Sequence, residues 1–235
     1  MHEDKVADLE KNIGITFSNK DHALQALTHR SYLNENTKWH LDHNERLEFL
    51  GDAVLELVVT EYLYTKYPDK PEGEMTNWRA ALVNSIMLAK ISSKFSLNDN
   101  VLLSRGEARD TGRARQYILA NAVEALIGAL YLDQGYKVCA EFINKFIISE
   151  LDDILENKLY KDYKSLFQEE AQDKVGITPT YEVVDEWGPD HAKTFKVGLF
   201  LEKDKISEGE GKSKQEAQQE AAKKGLEAKG WGEKI

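Results

Sequence analysis

NERLEFLGDAVLE, residues 44–56, has the apolar period of an amphipathic helix. At about 100° per residue, one side of that helix is apolar and the opposite side carries four acids within an arc of about 80°: Glu45, Glu48, Asp52 and Glu56. Acids four residues apart repel one another, so they mark either a solvated surface or a site that needs negative charge. Gly51 lies beside them, where glycine costs about 1 kcal/mol relative to alanine unless another backbone must approach closely. The stretch therefore predicts a helix with a close neighbour and a candidate acidic site.

A second run, ILANAVEALIGALYLD at 118–133, repeats this arrangement. Asn121 and Glu124 are three residues apart and share a face, and Gly128 lies on the same polar side. If the two helices pack side by side, four oxygen-bearing side chains converge: Glu48, Asp52, Asn121 and Glu124. Carboxylate and amide oxygens suit a hard divalent cation, Mg²⁺ above all, and no sulfur or histidine pair indicates zinc. Because such sites act mainly on phosphates, the pattern favours phosphoester chemistry.

The composition bounds the class of protein. The chain has 235 residues with a net charge of −10, 41% hydrophobic and 31% charged side chains, which indicates a globular protein of one large or two modest domains. Its single cysteine, Cys139, cannot form an internal disulfide and favours a reducing cytoplasm. No apolar run approaches the roughly 18 residues that a membrane span needs, and the N-terminus has no signal-peptide core.

Net charge leaves the partner open. An acidic total argues against a nucleic-acid binder, which usually has a basic footprint. Two local clusters have the opposite sign: Arg105, Arg109, Arg113 and Arg115, and Lys212, Lys214, Lys223 and Lys224. Where the charges lie therefore matters more than their sum.

Two different apolar periods divide the chain. Up to about residue 157 the period is helical, with runs at 43–66, 74–95, 117–134 and 137–156 and a loop at 103–116. Farther on, a helix is expected at 163–174, strands at 180–187, 193–202 and 205–211, and a last helix after Ser213, with Glu216 at capping-box spacing. The sequence therefore predicts an all-α domain over residues 1–157, followed by a small α+β domain, ordered α-β-β-β-α, over residues 161–230.

These motifs resemble those of ribonuclease III, the double-stranded-RNA-specific endonuclease family. NERLEFLGDAVLE is close to the family signature, and ALTHRSY at 26–32, EGEMTNWRAALVN at 72–84 and ILANAVEALIGALYLD fit in the expected order. The tail, with GPDHAKTF at 188–195 and GEGKSKQEAQQEAAKK at 209–224, is similar to a double-stranded RNA-binding domain. The resemblance covers nearly the whole chain, in the bacterial two-domain arrangement, and implies an all-helical nuclease fold.

The resemblance implies roles for residues of the nuclease part. The metal-ligand positions are Glu48, Asp52, Asn121 and Glu124, and the catalytic acids are Asp52 and Glu124, with Glu45 and Glu72 at the edge of the cleft. Phe49 matches an apolar knob that docks into a partner subunit, so a homodimer is implied. Family members use Mg²⁺, for which Mn²⁺ is expected to substitute. They hydrolyse duplex RNA to 5′-phosphate and 3′-hydroxyl ends with short 3′ overhangs, in the processing of ribosomal precursors or messages.

One position departs from the family pattern. The family usually has Asp where this chain has Asn121, which lowers the formal charge of the four-residue set from −4 to −3. We expect weaker metal affinity and a raised Mg²⁺ requirement. The alternative is a non-catalytic duplex-RNA binder whose site Asn121 has disabled. The other acids argue against that alternative, because an inactive site has no need to keep several negative charges close together.

The resemblance also implies RNA-binding residues in the tail. Lys212 and Lys214 flank Ser213 at a helix N-terminus, where free N–H groups and the dipole attract phosphate. An ordinary capped surface helix is the alternative for these residues. The remaining positions, which family members place in two minor grooves of the duplex, are Gln168, Gly188, Pro189 and His191. The arginines of the loop are either solvated or form an arm that guides the strand.

Overall fold

The structure, a computed structural model, describes residues 2–189 and 193–231. It divides into two compact units, one ending at Tyr160 and the other beginning at Lys161. Within the described residues, none of the helices combines the length and the apolar character needed to cross a membrane.

The first unit is helical. Its helices are α1 (His2–Ile13), α2 (Lys20–Leu27), α3 (Arg30–Glu35), α4 (Glu45–Lys66), α5 (Glu72–Val83), α6 (Ser85–Ser92), α7 (Leu97–Asn100), α8 (Arg113–Gln134), α9 (Tyr136–Phe146) and α10 (Leu151–Glu156). Short 3₁₀ turns lie at Ser93–Phe95, Glu107–Arg109 and Ile148–Glu150. The predicted all-α class of this part is confirmed.

Two of the predicted helical runs are interrupted. The run at 74–95 is two helices, because Asn84 takes an extended conformation and its side chain accepts a hydrogen bond from the Met87 N–H to cap α6. The run at 137–156 is likewise divided, by the 3₁₀ turn between α9 and α10. Apolar periodicity continues through both breaks, since each flanking helix keeps its apolar side in the same core.

The paired helices α4 and α8 form the centre of this unit. Leu55 and Val59 of α4 and Val123 and Leu126 of α8 are fully buried between the surrounding helices. Asn44, which precedes α4, is buried: its amide donates to the Ala26 carbonyl and its N–H to the Thr28 carbonyl. The start of the acidic helix is therefore held by hydrogen bonds to the C-terminal end of α2 and the residue that follows it.

The second unit is a three-stranded antiparallel sheet with two helices. Helix α11 (Tyr163–Val175) precedes strands β1 (Thr180–Trp187), β2 (Thr194–Leu201) and β3 (Asp204–Gly211), which lie in that order, and α12 (Lys214–Lys229) follows. Phe167 and Ala221 of the helices and Leu199 of the sheet are fully buried. The predicted α-β-β-β-α order is confirmed.

Candidate active site and RNA-binding surface

Helices α4 and α8 touch through two glycines. A Cβ atom added to Gly51 would lie 1.7 Å from the backbone oxygen of Glu124, and one added to Gly128 would lie 2.2 Å from the backbone oxygen of Leu47. Backbone atoms inside helices cannot move aside easily, so only glycine fits at either position. This close approach is the physical reason for a glycine on the polar side of each helix.

The crossing brings three acids and an amide into one electrostatic environment. Burial raises the pKa of Glu124 to about 7, and the negative charges of Asp52 and Glu48 add to the rise. Burial also raises the pKa of Glu48, as do the charges of Glu45 and Asp52, whereas a hydrogen bond with the Asn121 side chain opposes that rise. Asn121 and Glu124, predicted from their spacing, therefore face the acids of α4.

Cations neutralise the ends of the acidic stripe but not its middle. Glu45 at one end pairs with Arg30 at 3.2 Å, and Glu56 at the other end pairs with Arg79 at 3.1 Å. Among the described residues, no Lys, Arg or His lies within 4.0 Å of the carboxylates of Glu48, Asp52 or Glu124. Uncompensated negative charge is therefore concentrated where the two helices cross.

The donor set of this crossing fits a hard divalent cation. Its donors are carboxylate oxygens and an amide oxygen, which Mg²⁺ prefers, and a cation would offset the repulsion that raises the pKa of Glu124. No group of three or more His, Cys, Asp or Glu side chains in the described part of the chain is already arranged as metal ligands. The side chains of the crossing therefore share a surface without forming a closed ligand set.

The two acids predicted at the edge of the cleft have different surroundings. Glu45 lies close enough to raise the pKa of Glu48, and Arg30 pairs with its carboxylate, while the Nδ1 of His43 accepts the Glu45 N–H at 3.4 Å. Glu72 is the first residue of α5, is exposed, and accepts a hydrogen bond from the Thr76 hydroxyl at 3.0 Å. Within the described residues, no hydrogen bond or ion pair joins Glu72 to the acids of α4 and α8.

Helix α4 also turns an apolar stripe toward solvent. The side chain of Phe49 is 82% exposed, and Leu57 and Tyr64, which lie on the same side of the helix, are 57% and 74% exposed. The family resemblance predicted an exposed apolar role for Phe49 but not for the other two. Their spacing of eight and seven residues was the available signal, since it continues one face of the helix.

The last helix of the second unit begins with the predicted capping box. The Ser213 hydroxyl accepts the Glu216 N–H at 3.1 Å, and the Glu216 carboxylate accepts the Lys212 N–H at 2.8 Å. Lys212 and Lys214 are exposed, and the ammonium of Lys214 lies 5.7 Å from the centre of the Phe195 ring. The two lysines therefore remain available to a ligand at this helix N-terminus.

The other RNA-binding positions lie on α11 and after β1. Gln168 is exposed on α11. Gly188 is exposed with a φ of 95°, a backbone conformation that favours glycine, and Pro189 after it is exposed. The predicted residue His191 lies outside the described residues.

Comparison with known proteins relates both units to described families. Residues 19–151 match the family model described as Ribonuclease-III-like, and residues 163–229 match the Double-stranded RNA binding motif. A Ribonuclease 3 of Desulforamulus reducens is 45% identical over 215 residues, which cover 92% of this chain and 87% of the relative. A Ribonuclease 3 of Natranaerobius thermophilus is 46% identical over 217 residues, which cover 92% of this chain and 93% of the relative. The solved nuclease domain of ribonuclease III from Campylobacter jejuni aligns with a TM-score of 0.55 and 39% identity, over 60% of this chain and 95% of that one.

Proposed function

This chain belongs to the ribonuclease III family, and we propose that it hydrolyses phosphodiester bonds of double-stranded RNA with Mg²⁺, leaving 5′-phosphate and 3′-hydroxyl ends. The observation that carries the proposal is the group of carboxylates without a cationic partner, among the described residues, where α4 crosses α8; burial there, with the charges of Asp52 and Glu48, raises the pKa of Glu124 to about 7. Crowded carboxylates without a cationic partner destabilise the folded protein, so their presence supports a function that needs them.

Four side chains would hold the cation: Glu48, Asp52, Asn121 and Glu124. When bound there, Mg²⁺ supplies compensation for the negative charge on phosphate oxygens and lowers the pKa of water. The Asn121 side chain favours the charged form of the Glu48 carboxylate, since it lowers the pKa that burial raises. Asp52 and Glu124 are the pair we propose as most important for catalysis, because they come from different helices and lie close enough for the charge of Asp52 to add to the rise that burial causes in the pKa of Glu124.

Glu45 and Glu72 are proposed as further acids at the edge of the cleft, near the scissile strand. Arg30 pairs with the carboxylate of Glu45 beside Glu48, which supports a role for Glu45 in positioning. For Glu72 the support is the family resemblance alone.

We propose that the tail, over residues 161–230, binds the duplex and that residues 1–157 cut it. The proposed contacts to the duplex are made by Gln168, Gly188, Pro189, His191, Lys212, Ser213 and Lys214. Free N–H groups of the first turn of α12 and the two exposed lysines support phosphate binding there. Because Glu216 and Glu220 dilute the positive field, we expect only modest affinity from the tail.

We further propose a homodimer in which Phe49 docks into the partner subunit. The exposed stripe of Phe49, Leu57 and Tyr64 supports this, since exposed large apolar side chains along one side of a helix commonly mark an interface. The solved Campylobacter jejuni nuclease domain is described as having a region involved in dimer formation. A reducing, cytoplasmic location is proposed from the buried free thiol of Cys139, whose pKa burial raises to about 12.

One experiment tests the activity. Long duplex RNA is incubated with the full chain, in parallel with Mg²⁺ and with EDTA, and the ends of the products are mapped. Cleavage that requires the divalent ion and stops in the Glu124→Gln variant is expected. Binding of the duplex without any Mg²⁺-dependent cut would instead support the alternative, a non-catalytic RNA-binding relative disabled at Asn121.

A further inference from the structure

Four arginines follow α7 in a segment that we call the arginine loop, residues 104–115. Arg105, Arg109 and Arg113 are exposed, and Arg115 is partly buried. Among the residues that the structure describes, no carboxylate lies within ion-pair distance of any of the four. The loop therefore carries four arginines without an ion-pair partner in the described part of the chain, against two acids, Glu107 and Asp110, on an otherwise acidic protein. The guanidinium of Arg115 donates hydrogen bonds to Asn98, whereas the other three arginines are exposed.

Two side chains of helix α3 accept hydrogen bonds from the backbone of the arginine loop. Both oxygens of Glu35 accept the N–H of Arg105, each at 3.2 Å. The Ser31 hydroxyl accepts the N–H of Ser104 at 3.1 Å, and the Ser104 hydroxyl accepts the N–H of Glu107 at 3.2 Å. Because Glu35 bonds the main chain, it orders the loop while leaving the Arg105 guanidinium available.

Nothing in α3 itself explains an acid at position 35. Glu35 is the last residue of that helix, where the helix dipole disfavours negative charge. Among the described residues, its side chain forms no ion pair and accepts hydrogen bonds from the Arg105 N–H of the loop. An acid at position 35 is therefore explained by its hydrogen bonds to the backbone of the arginine loop.

The loop and the candidate active site share one helix. Arg113 begins α8, and Glu124 follows eleven residues later on the same helix. At 100° and 1.5 Å per residue, the two side chains point within about 20° of each other and are about 16 Å apart along the axis. A duplex that covers Glu124 and runs along α8 would therefore reach the arginine loop.

From these contacts we infer that Glu35 is a positioning residue for duplex binding, acting through the arginine loop on the RNA phosphates. The inference rests on the proposed function. A loop already ordered loses less conformational entropy when its arginines meet phosphates, so binding is tighter with Glu35 than without the two hydrogen bonds. The opposing interpretation is that Glu35 only weakens the field of the loop through its charge, in which case removing it tightens binding.

Three variants of the full chain separate these interpretations. Glu35→Ala removes both the charge and the acceptor, Glu35→Gln removes the charge but keeps an amide oxygen that can accept the Arg105 N–H, and Glu107→Ala removes one charge from the loop without removing a side-chain hydrogen bond. The measurement is the dissociation constant for long duplex RNA in EDTA across a series of salt concentrations, with kcat in Mg²⁺ at saturating RNA.

If Glu35 positions the loop, Glu35→Ala binds duplex RNA about fivefold more weakly at 0.15 M salt. The slope of log binding constant against log salt concentration is then smaller in magnitude by about 0.9, which is the effect of losing one phosphate contact. The kcat of Glu35→Ala stays at the wild-type value, and Glu35→Gln and Glu107→Ala bind at least as tightly as the wild type. Equal binding by Glu35→Ala, Glu35→Gln and Glu107→Ala would overturn the inference, because charge alone would then explain the result.

Two further outcomes are informative. Should Glu35→Ala fail to fold, Ser31→Ala, which removes the tie to Ser104, is expected to weaken binding in the same way, and wild-type binding by Ser31→Ala would then overturn the inference. A wild-type chain that neither binds nor cuts duplex RNA would refute the proposed function itself, which is a different result from a variant series without differences.

Discussion

Gly51 of α4 lies directly against the backbone carbonyl of Glu124 in α8: a Cβ on Gly51 would be 1.7 Å from that oxygen. The reciprocal contact places Gly128 against the carbonyl of Leu47. Because both contacts are between backbones, the separation of the two helices, and with it the spacing of the acids they carry, is set by the glycines rather than by adaptable side chains.

Replacing Gly51 by alanine should therefore destabilise the folded protein where α4 crosses α8. We expect Gly51→Ala to lower the free energy of unfolding by about 3 kcal/mol or more, since neither backbone can yield to the methyl group. Gly73→Ala is the matched control, because nothing lies within 4 Å of a Cβ there, and it should raise stability by up to about 1 kcal/mol. Urea denaturation measures both, and a wild-type midpoint for Gly51→Ala would contradict the contact.

Glu124 should make stability depend on pH in the absence of a divalent cation. Its folded pKa of about 7 lies above the ordinary value of 4.5, so the folded chain binds the proton more tightly than the unfolded chain does. Stability should fall as pH rises from 4.5 to 7 and stay reduced at higher pH. In EDTA, Glu124→Gln should therefore melt higher than the wild type above pH 7 and at a similar temperature near pH 4.5, measured by thermal denaturation.

A control variant and the addition of Mg²⁺ extend this measurement of melting temperature. Glu141→Gln, at an exposed acid of α9, should show no such pH-dependent difference. Adding Mg²⁺ above pH 7 should raise the melting temperature of the wild type more than that of Glu124→Gln, because binding to the folded state stabilises it. Equal shifts in both proteins would mean that Glu124 does not contribute to cation binding.

Asn121 should set the Mg²⁺ requirement of cleavage. Asn121→Asp replaces the amide that lowers the pKa of Glu48 with a fourth carboxylate, which strengthens attraction for a cation and destabilises the chain without one. We expect a several-fold lower Mg²⁺ concentration at half-maximal rate, on the order of 1 kcal/mol in cation binding, with a lower melting temperature in EDTA. Asn77→Asp, at an exposed position of α5, makes the same charge change elsewhere; an equal effect there would show that net charge, not the site, is responsible.

The sequence predicted the helix crossing because the relevant signals are local. Acids on one face of a helix, and a glycine beside them, can be recognised from spacing alone, as with Glu48, Asp52 and Gly51. The capping box of Ser213 and Glu216 was predictable for the same reason, since it lies within one turn.

What the sequence could not show depends on contacts between distant residues. Arg30 pairs with Glu45 across a connection between helices, and Glu35 reaches Arg105 across seventy residues. The apolar periodicity of a sequence contains no information about such pairs. The break at Asn84 was missed for another reason, because the apolar pattern of α5 continues into α6.

Phe49 should control association of the chain. Its side chain is 82% exposed, and burying a phenylalanine against a partner contributes about 1.5–3 kcal/mol, so Phe49→Ser should raise the dissociation constant of the dimer at least about tenfold. Leu159→Ser, at an apolar side chain that is 56% exposed and lies after α10, is the control and should leave association unchanged. Sedimentation equilibrium distinguishes the two, and a monomeric wild type would refute the proposed homodimer.

The lysines at the start of α12 should contribute to affinity for RNA independently of cleavage. Lys212→Ala with Lys214→Ala removes two exposed charges from the helix N-terminus and keeps the Ser213 cap. If each lysine neutralises one phosphate, the double variant should lower the slope of log binding constant against log salt by about 1.8 and weaken binding of the full chain in EDTA. Lys203→Ala, in the exposed turn between β2 and β3, is the charge-matched control. Wild-type salt dependence in the double variant, or an equal change in Lys203→Ala, would show that this helix N-terminus is an ordinary capped surface.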